Sequence, residues 1–299
     1  MPRNARSLAA SPKAIASRLI VAAVAMVATQ LLSGCAVVDF EQRRWIFQPT
    51  RQTWTPGEAA AQSMQDVWID HVSSSAEHRG TPVRLHGLWL PQDQPQAPVL
   101  LFLHGARWDV RASAPRMRDL HALGFAVLGL DYRGFGQSDT ALPSEDLAAE
   151  DALAAWVWLA QRHPQLKRYV YGHSLGAGVA VRLAETVHDE AGLIVDSGFT
   201  STADVFRSYR LGWLPITRFI TQRFDSGARI GQVGSPVLVL HGAEDTMVPP
   251  RLGRALFDRA SDPKRFVLVP GAVHENASQL GQVLLRQAVA ELFGMGAQR

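Results

Sequence analysis

The chain holds a single cysteine, Cys35, among 299 residues. One thiol cannot form an internal disulfide, and it rules out a thiolate cluster as a metal site. No apolar run reaches the ~20 residues that a membrane-spanning helix needs. The nearest, Leu19 to Leu32, is 14 residues long and is interrupted by Thr29 and Gln30. There is no His-Glu-x-x-His, no Walker A motif and no Gly-x-Gly-x-x-Gly, so nothing points to a zinc peptidase, a P-loop or a dinucleotide fold. No metal and no cofactor is expected. Neither an internal repeat nor a low-complexity tract is present. A polybasic patch is also missing: the net charge is +3, but Arg3, Arg6, Lys13 and Arg18 sit in an acid-free stretch, leaving 26 basic against 27 acidic residues elsewhere. A nucleic-acid partner is therefore not expected.

What is present starts with the leader. Arg3 to Arg18 is a positive segment, and the short apolar run after it fits the hydrophobic region of a signal peptide. Leu32-Ser33-Gly34-Cys35 then resembles a bacterial lipoprotein lipobox. That resemblance implies a lipidated Cys35 as the first mature residue and a membrane anchor on the periplasmic side. With Ala36 rather than Asp after the cysteine, it implies outer-membrane sorting in a Gram-negative host. An ordinary signal peptide with an incidental cysteine, or an uncleaved anchor, are the alternatives. The expected organisation is a leader over 1–34, an approach segment over 35–66 and an α/β domain over 67–299. In the approach segment Phe40, Trp45, Ile46 and Phe47 could cover a sheet edge or lie near lipid; core packing is the favoured role.

The 47% apolar content is enough for a sizeable core. Val67–Val72 and Val83–Leu90 alternate apolar and polar residues and read as an antiparallel hairpin with one wet face. Val99–Leu103, Phe125–Leu130, Leu193–Val195, Val237–Leu240 and Phe266–Val269 are continuously apolar, as strands buried on both faces of a parallel sheet are. Helical patterns alternate with them: about 111–123, 144–162 with Ser144 as N-cap, 176–187, 250–259 and 275–293. The pattern predicts an α/β fold with a mostly parallel, doubly wound sheet of about eight strands. Residues 199–233 break the alternation with Phe206, Tyr209, Trp213, Ile216, Phe219 and Phe224. A small helical lid is the favoured reading, and a pair of helices on the sheet edge is the other.

The most informative stretch is Gly172-His173-Ser174-Leu175-Gly176, between a short strand at Arg168–Tyr171 and a helix. A Gly-x-Ser-x-Gly on a strand-to-helix turn is a nucleophile elbow, in which small flanking residues permit the sharp turn that exposes the Ser174 hydroxyl. A serine needs a base, and the base needs an orienting group; in this layout they follow in the order Ser, acid, His. Asp245 lies just past the Val237–Leu240 strand, with Glu244 a close rival and Asp196 a remote one. His274 lies in a Gly-containing loop past the last strand, where a general base belongs. His104 and His241 look like loop braces, and His173 flanks the serine. An oxyanion would take the Leu175 N–H and one from the loop after Val99–Leu103, with Ala106 first and Arg107 in reserve.

With these pieces in place the chain resembles the α/β-hydrolase superfamily over roughly residues 40–295. Within it the chain is most similar to the BEM46-like branch, which includes ABHD17-like palmitoyl-thioesterase relatives. The matching pieces are Arg44-Trp45-Ile46-Phe47-Gln48-Pro49-Thr50, His104-Gly105, Asp131-Tyr132-Arg133-Gly134-Phe135-Gly136-Gln137-Ser138, the elbow, His241-Gly242-Ala243-Glu244-Asp245 and Gly271-Ala272-Val273-His274. The loop after His104-Gly105 departs from the pattern: it reads Ala-Arg-Trp-Asp where many relatives carry an Asn-containing turn. The expected function is serine hydrolysis of a small-molecule acyl ester or thioester through an acyl-enzyme. A serine aminopeptidase keeps the same residues, and a non-catalytic lipoprotein could keep the same fold.

Overall fold

A computed structural model describes residues 36–53, 55–210 and 212–295. The leader and Cys35 lie outside the described residues. Residues 36–47 are helical (α1), and the chain divides after Gln42 into two units. The second unit, from Arg43 onward, carries everything below. Among the described residues no helix is long and apolar enough to cross a membrane.

The expected hairpin is present as β1 (Gln65–Val72) and β2 (Pro82–Leu90), paired antiparallel. The continuous apolar runs are β3 (Val99–Leu103), β4 (Ala126–Leu130), β5 (Arg168–His173), β6 (Gly192–Asp196), β7 (Val237–Gly242) and β8 (Lys264–Val269). They form one eight-stranded sheet in the order β1-β2-β4-β3-β5-β6-β7-β8, antiparallel at β1, β2 and β4 and parallel from β4 to β8. This is the fold class expected from the pattern.

The reason the central runs carry no polar alternation is visible in the packing. Val99, Leu101 and Leu103 of β3 enter one core layer, and Leu100 and Phe102 enter the other. Val237 and Val239 of β7 divide from Leu238 and Leu240 in the same way. Successive strand residues point to opposite faces, so a strand covered on both sides must be apolar throughout. The first layer is closed by α4 (Glu145–Arg162), α5 (Leu175–Val187) and α8 (Pro250–Arg259). The second is closed by α2 (Thr55–Ala61), α3 (Ala114–His121), α9 (Ala277–Leu280) and α10 (Gln282–Phe293).

Local signals explain the helix ends. Ser144 caps α4 by accepting from the Leu147 N–H, satisfying a donor that the first turn leaves free. The helix expected over 111–123 is a 3-10 turn at Val110–Ser113 followed by α3, with Asp109 capping the turn. The helix expected over 275–293 is broken at Gly281 into α9 and α10.

The approach segment does two things at once. Phe47 is wholly buried and Ile46 packs against the same core layer, whereas Trp45 is 72% exposed. The 199–233 insertion is also divided. Phe199, Phe224, Ile230 and Val233 belong to the core, but α6 (Thr202–Ser208) and the 3-10 turn Pro215–Phe219 contain no buried residue. A short α7 (Ser226–Arg229) returns the chain to the sheet.

Candidate active site

Ser174 stands where β5 turns into α5, with φ 55° and ψ −119°. A side chain rarely tolerates that backbone, and the contacts that hold it are close. The Ser174 N–H donates to the Asp196 carbonyl on the neighbouring strand at 2.9 Å. A Cβ at position 172 would lie 2.2 Å from the Gly176 carbonyl oxygen, and one at position 176 would lie 2.2 Å from that of Leu103. Both glycines of the elbow are therefore required by backbone approaching backbone.

Three strand ends bring the expected side chains together. Past β8, Gly271 adopts φ 71° and the chain turns so that His274, only 5% exposed, faces the elbow. Its Nε2 is 2.9 Å from Ser174 Oγ, and its Nδ1 is 2.7 Å from Asp245 Oδ2 in the loop past β7. The carboxylate fixes the imidazole with Nδ1–H donating to it, which leaves Nε2 to accept from the serine hydroxyl. Asp245 Oδ1 accepts from the Met247 and Val248 N–H groups at 2.9 and 2.8 Å, and His241 Nε2 lies 3.3 Å from Oδ2. Burial pushes this carboxyl upward, but the bonds from His241, His274 and the Val248 backbone prevail and hold it well below the usual carboxylate range. It stays anionic at neutral pH, ready to stabilise a cation on His274.

Asp245, and neither rival carboxylate, is the acid bonded to His274. Glu244 is exposed, and its N–H donates to the Ala272 carbonyl at 2.8 Å. Asp196 accepts from the Tyr171 hydroxyl and lies 3.5 Å from Arg116 Nε. Of the two oxyanion candidates after β3, Arg107 has its N–H bonded to the Phe47 carbonyl at 2.9 Å. The Ala106 N–H has no acceptor among the described residues. Leu175 opens α5, and an N–H at that position has no partner within the helix. The two loops touch: a Cβ at position 105 would lie 3.2 Å from Ser174 Cβ.

His104 and His241 brace loops as expected, through Nδ1 to the Gly105 carbonyl at 2.7 Å and Nε2 to the Val248 carbonyl at 2.8 Å. His173 and Arg116 do more than sequence reasoning assigned them. His173 Nε2 donates to the main-chain carbonyl of His274 at 3.1 Å, and Arg116 Nη2 donates to that of Glu275 at 2.8 Å. Burial, and then the charges of Arg116 and His274, push the His173 imidazole well below its ordinary pKa, so it is held neutral. No sequence signal singles out Arg116, which is one of several arginines on α3 and the turn before it. Among the described residues no group of three or more His, Cys, Asp or Glu side chains is arranged to hold a metal ion.

The chain matches, over residues 94–225, the family model described as serine aminopeptidase, S33. It is 35% identical over 270 residues to the uncharacterized protein Rv2307c of Mycobacterium tuberculosis, covering 89% of this chain and 91% of that one. It is 34% identical to the lysophosphatidylserine lipase ABHD12 of Danio rerio over 57% of this chain and 49% of the lipase, so it spans about half the length of that relative. In fold it is similar to the Pyrococcus furiosus esterase Pf2001, with a TM-score of 0.63 and 22% identity over 82% of this chain and 98% of the esterase. The chain belongs to the α/β-hydrolase superfamily. For such a hydrolase the Ser174–His274–Asp245 cluster has the place that matters, because the carboxyl ends of parallel strands leave helix N-termini and loops free to converge on one point.

Proposed function

We propose that this hydrolase cleaves an acyl ester or thioester with Ser174 as nucleophile, His274 as general base and Asp245 as the orienting carboxylate. The observation that carries the reading is the hydrogen-bonded chain from Ser174 Oγ to His274 Nε2 and from His274 Nδ1 to Asp245. Ser174 Oγ attacks the acyl carbonyl carbon while its proton passes to His274 Nε2. The oxyanion is held by the N–H groups of Leu175 and Ala106. As the intermediate collapses, the bond to the alkoxy or thio group breaks and that group takes the proton from His274. Water then loses a proton to His274, attacks the acyl carbon and releases the acid, and Ser174 regains its proton.

The exposed Trp108 and Met247 beside Ala106 and Asp245, and the relatives named as lysophosphatidylserine lipases, favour an acyl ester of a lipid. The Arg44–Thr50 segment and the motifs after it support placement in the BEM46-like branch, beside ABHD17-like thioesterases. The lipobox supports a lipoprotein whose Cys35 carries it to the periplasmic face of a membrane, with the leader, approach segment, α/β domain and a lid at 199–233 as its parts. The family description as a serine aminopeptidase favours a second reading, in which the same cycle cleaves an N-terminal peptide bond.

Labelling with a fluorophosphonate is the direct test. Wild type should label and Ser174→Ala should not; equal labelling, or none in wild type, ends the proposal. A panel of acyl esters, acyl thioesters and aminoacyl amides then separates the two readings.

A further inference from the structure

The middle of the 199–233 insertion does not behave as a buried lid core. Between Asp204 and Asp225 the chain carries Arg207, Arg210, Arg218 and Arg223 and no carboxylate. Interleaved with them, Trp213 is 76% exposed, Phe219 56%, Tyr209 46% and Ile216 44%. Arg207 is paired with Asp204 at 3.0 Å, but Arg210, Arg218 and Arg223 have no carboxylate partner among the described residues. A folded chain rarely leaves this many large apolar groups together in water without a use for them.

The segment is tied to the active-site edge. The Tyr209 hydroxyl donates to the Met247 carbonyl at 2.9 Å, two residues beyond Asp245. Met247 is itself exposed, as is Trp108 in the loop that carries Ala106. Exposed apolar and cationic groups thus lie on a segment that is bonded to the loop carrying Asp245.

We propose that this segment docks on an anionic lipid surface, with Trp213, Ile216 and Phe219 entering the headgroup boundary and Arg210, Arg218 and Arg223 contacting lipid phosphates. Exposed aromatic and aliphatic side chains beside arginine are the combination that partitions into a negatively charged interface. A second copy of the chain is disfavoured by charge, because a two-fold contact through this patch would set the arginines of one protomer against those of the other. Delivery of a membrane-borne acyl chain to Ser174 rests on the function proposed above; the docking does not.

The test uses the full chain in nanodiscs of brominated phosphatidylcholine, with or without about a third phosphatidylglycerol. Tryptophan quenching is compared between wild type and Trp213→Phe. Quenching that depends on Trp213 is expected in the anionic discs. It should weaken in 0.5 M salt, and the docking equilibrium should fall about five-fold for each of Arg210→Gln, Arg218→Gln and Arg223→Gln. Ser174→Ala should quench as wild type does, so a failure of the catalytic proposal leaves this one standing. Identical quenching in wild type and Trp213→Phe overturns it. So does a Trp213-dependent dimer in detergent without quenching, which would assign the patch to a second copy.

Discussion

The imidazole of His173, inside the elbow, donates a hydrogen bond to the backbone carbonyl of His274, 3.1 Å away. The residue next to the proposed nucleophile thereby holds the main chain of the proposed base. Because His173 is kept neutral, its single ring proton must sit on Nε2 to make this bond. His173→Leu should lower kcat by roughly 10- to 100-fold with little change in KM, since it lets the base drift from its attack position. His173→Gln, which keeps an N–H donor, should recover much of the loss. Equal damage from both substitutions would show that only the shape of the ring matters.

The positive φ of Ser174 implies a conflict between stability and activity. Ser174→Ala keeps the strain and should melt close to wild type. Ser174→Gly relieves it and should gain about 1 kcal/mol over the alanine variant, with activity absent from both. Thermal unfolding of the three proteins checks this. A glycine variant no more stable than the alanine variant would mean that the elbow backbone is not strained.

Gly105 lies against the serine from the opposite loop. A methyl group there would be 3.2 Å from Ser174 Cβ, closer than side chains normally approach, so one of the loops must yield by a few tenths of an ångström. Gly105→Ala is expected to lower kcat about ten-fold by shifting the Ala106 N–H, with a small effect on melting. Unaltered kcat would remove Ala106 from the proposed oxyanion site.

Glu150 fastens the β1–β2 turn to α4. It accepts from the Ser73 hydroxyl at 2.7 Å, the Ser74 hydroxyl at 2.8 Å and the Ser75 N–H at 3.1 Å, and it pairs with Arg133 at 2.5 Å. Burial raises its pKa, but the bonds from Ser73, Arg133 and Ser74 outweigh this and lower it to about 2. The folded state thus binds this proton less readily than the unfolded chain does. The resulting stability is present above the ordinary value of 4.5 and is lost as pH falls from there toward 2. Glu150→Gln should cost about 1–2 kcal/mol at pH 7 and reduce the loss of stability across that acid window. Denaturant unfolding at pH 7, 4.5 and 3 measures both effects.

Much of this could be read from local pattern. Ser144 announces a helix start because a side-chain oxygen before a helical run satisfies a free N–H, and it does so here. The apolar strands declare a sheet covered on both faces. The insertion was harder to read: Phe224 and Phe219 look alike in sequence, yet one is buried in the core and the other faces solvent. The carboxylate choice was equally open. Glu244 and Asp245 are adjacent, and only the turn held by the Met247 and Val248 N–H groups sends Asp245 to His274.

The sequence by itself determined the order of the strands and of the main helices between them, because apolar periodicity, caps and glycines act over a few residues. It also named Ser174, Asp245 and His274 as the groups to watch. Only the tertiary structure decided that they lie within hydrogen-bond reach, that Arg107 spends its N–H on Phe47, and that His173 and Arg116 hold the loop carrying His274. Those relationships join residues 29 to 159 positions apart. Such contacts depend on how strands stack side by side, and no short stretch of sequence contains that information.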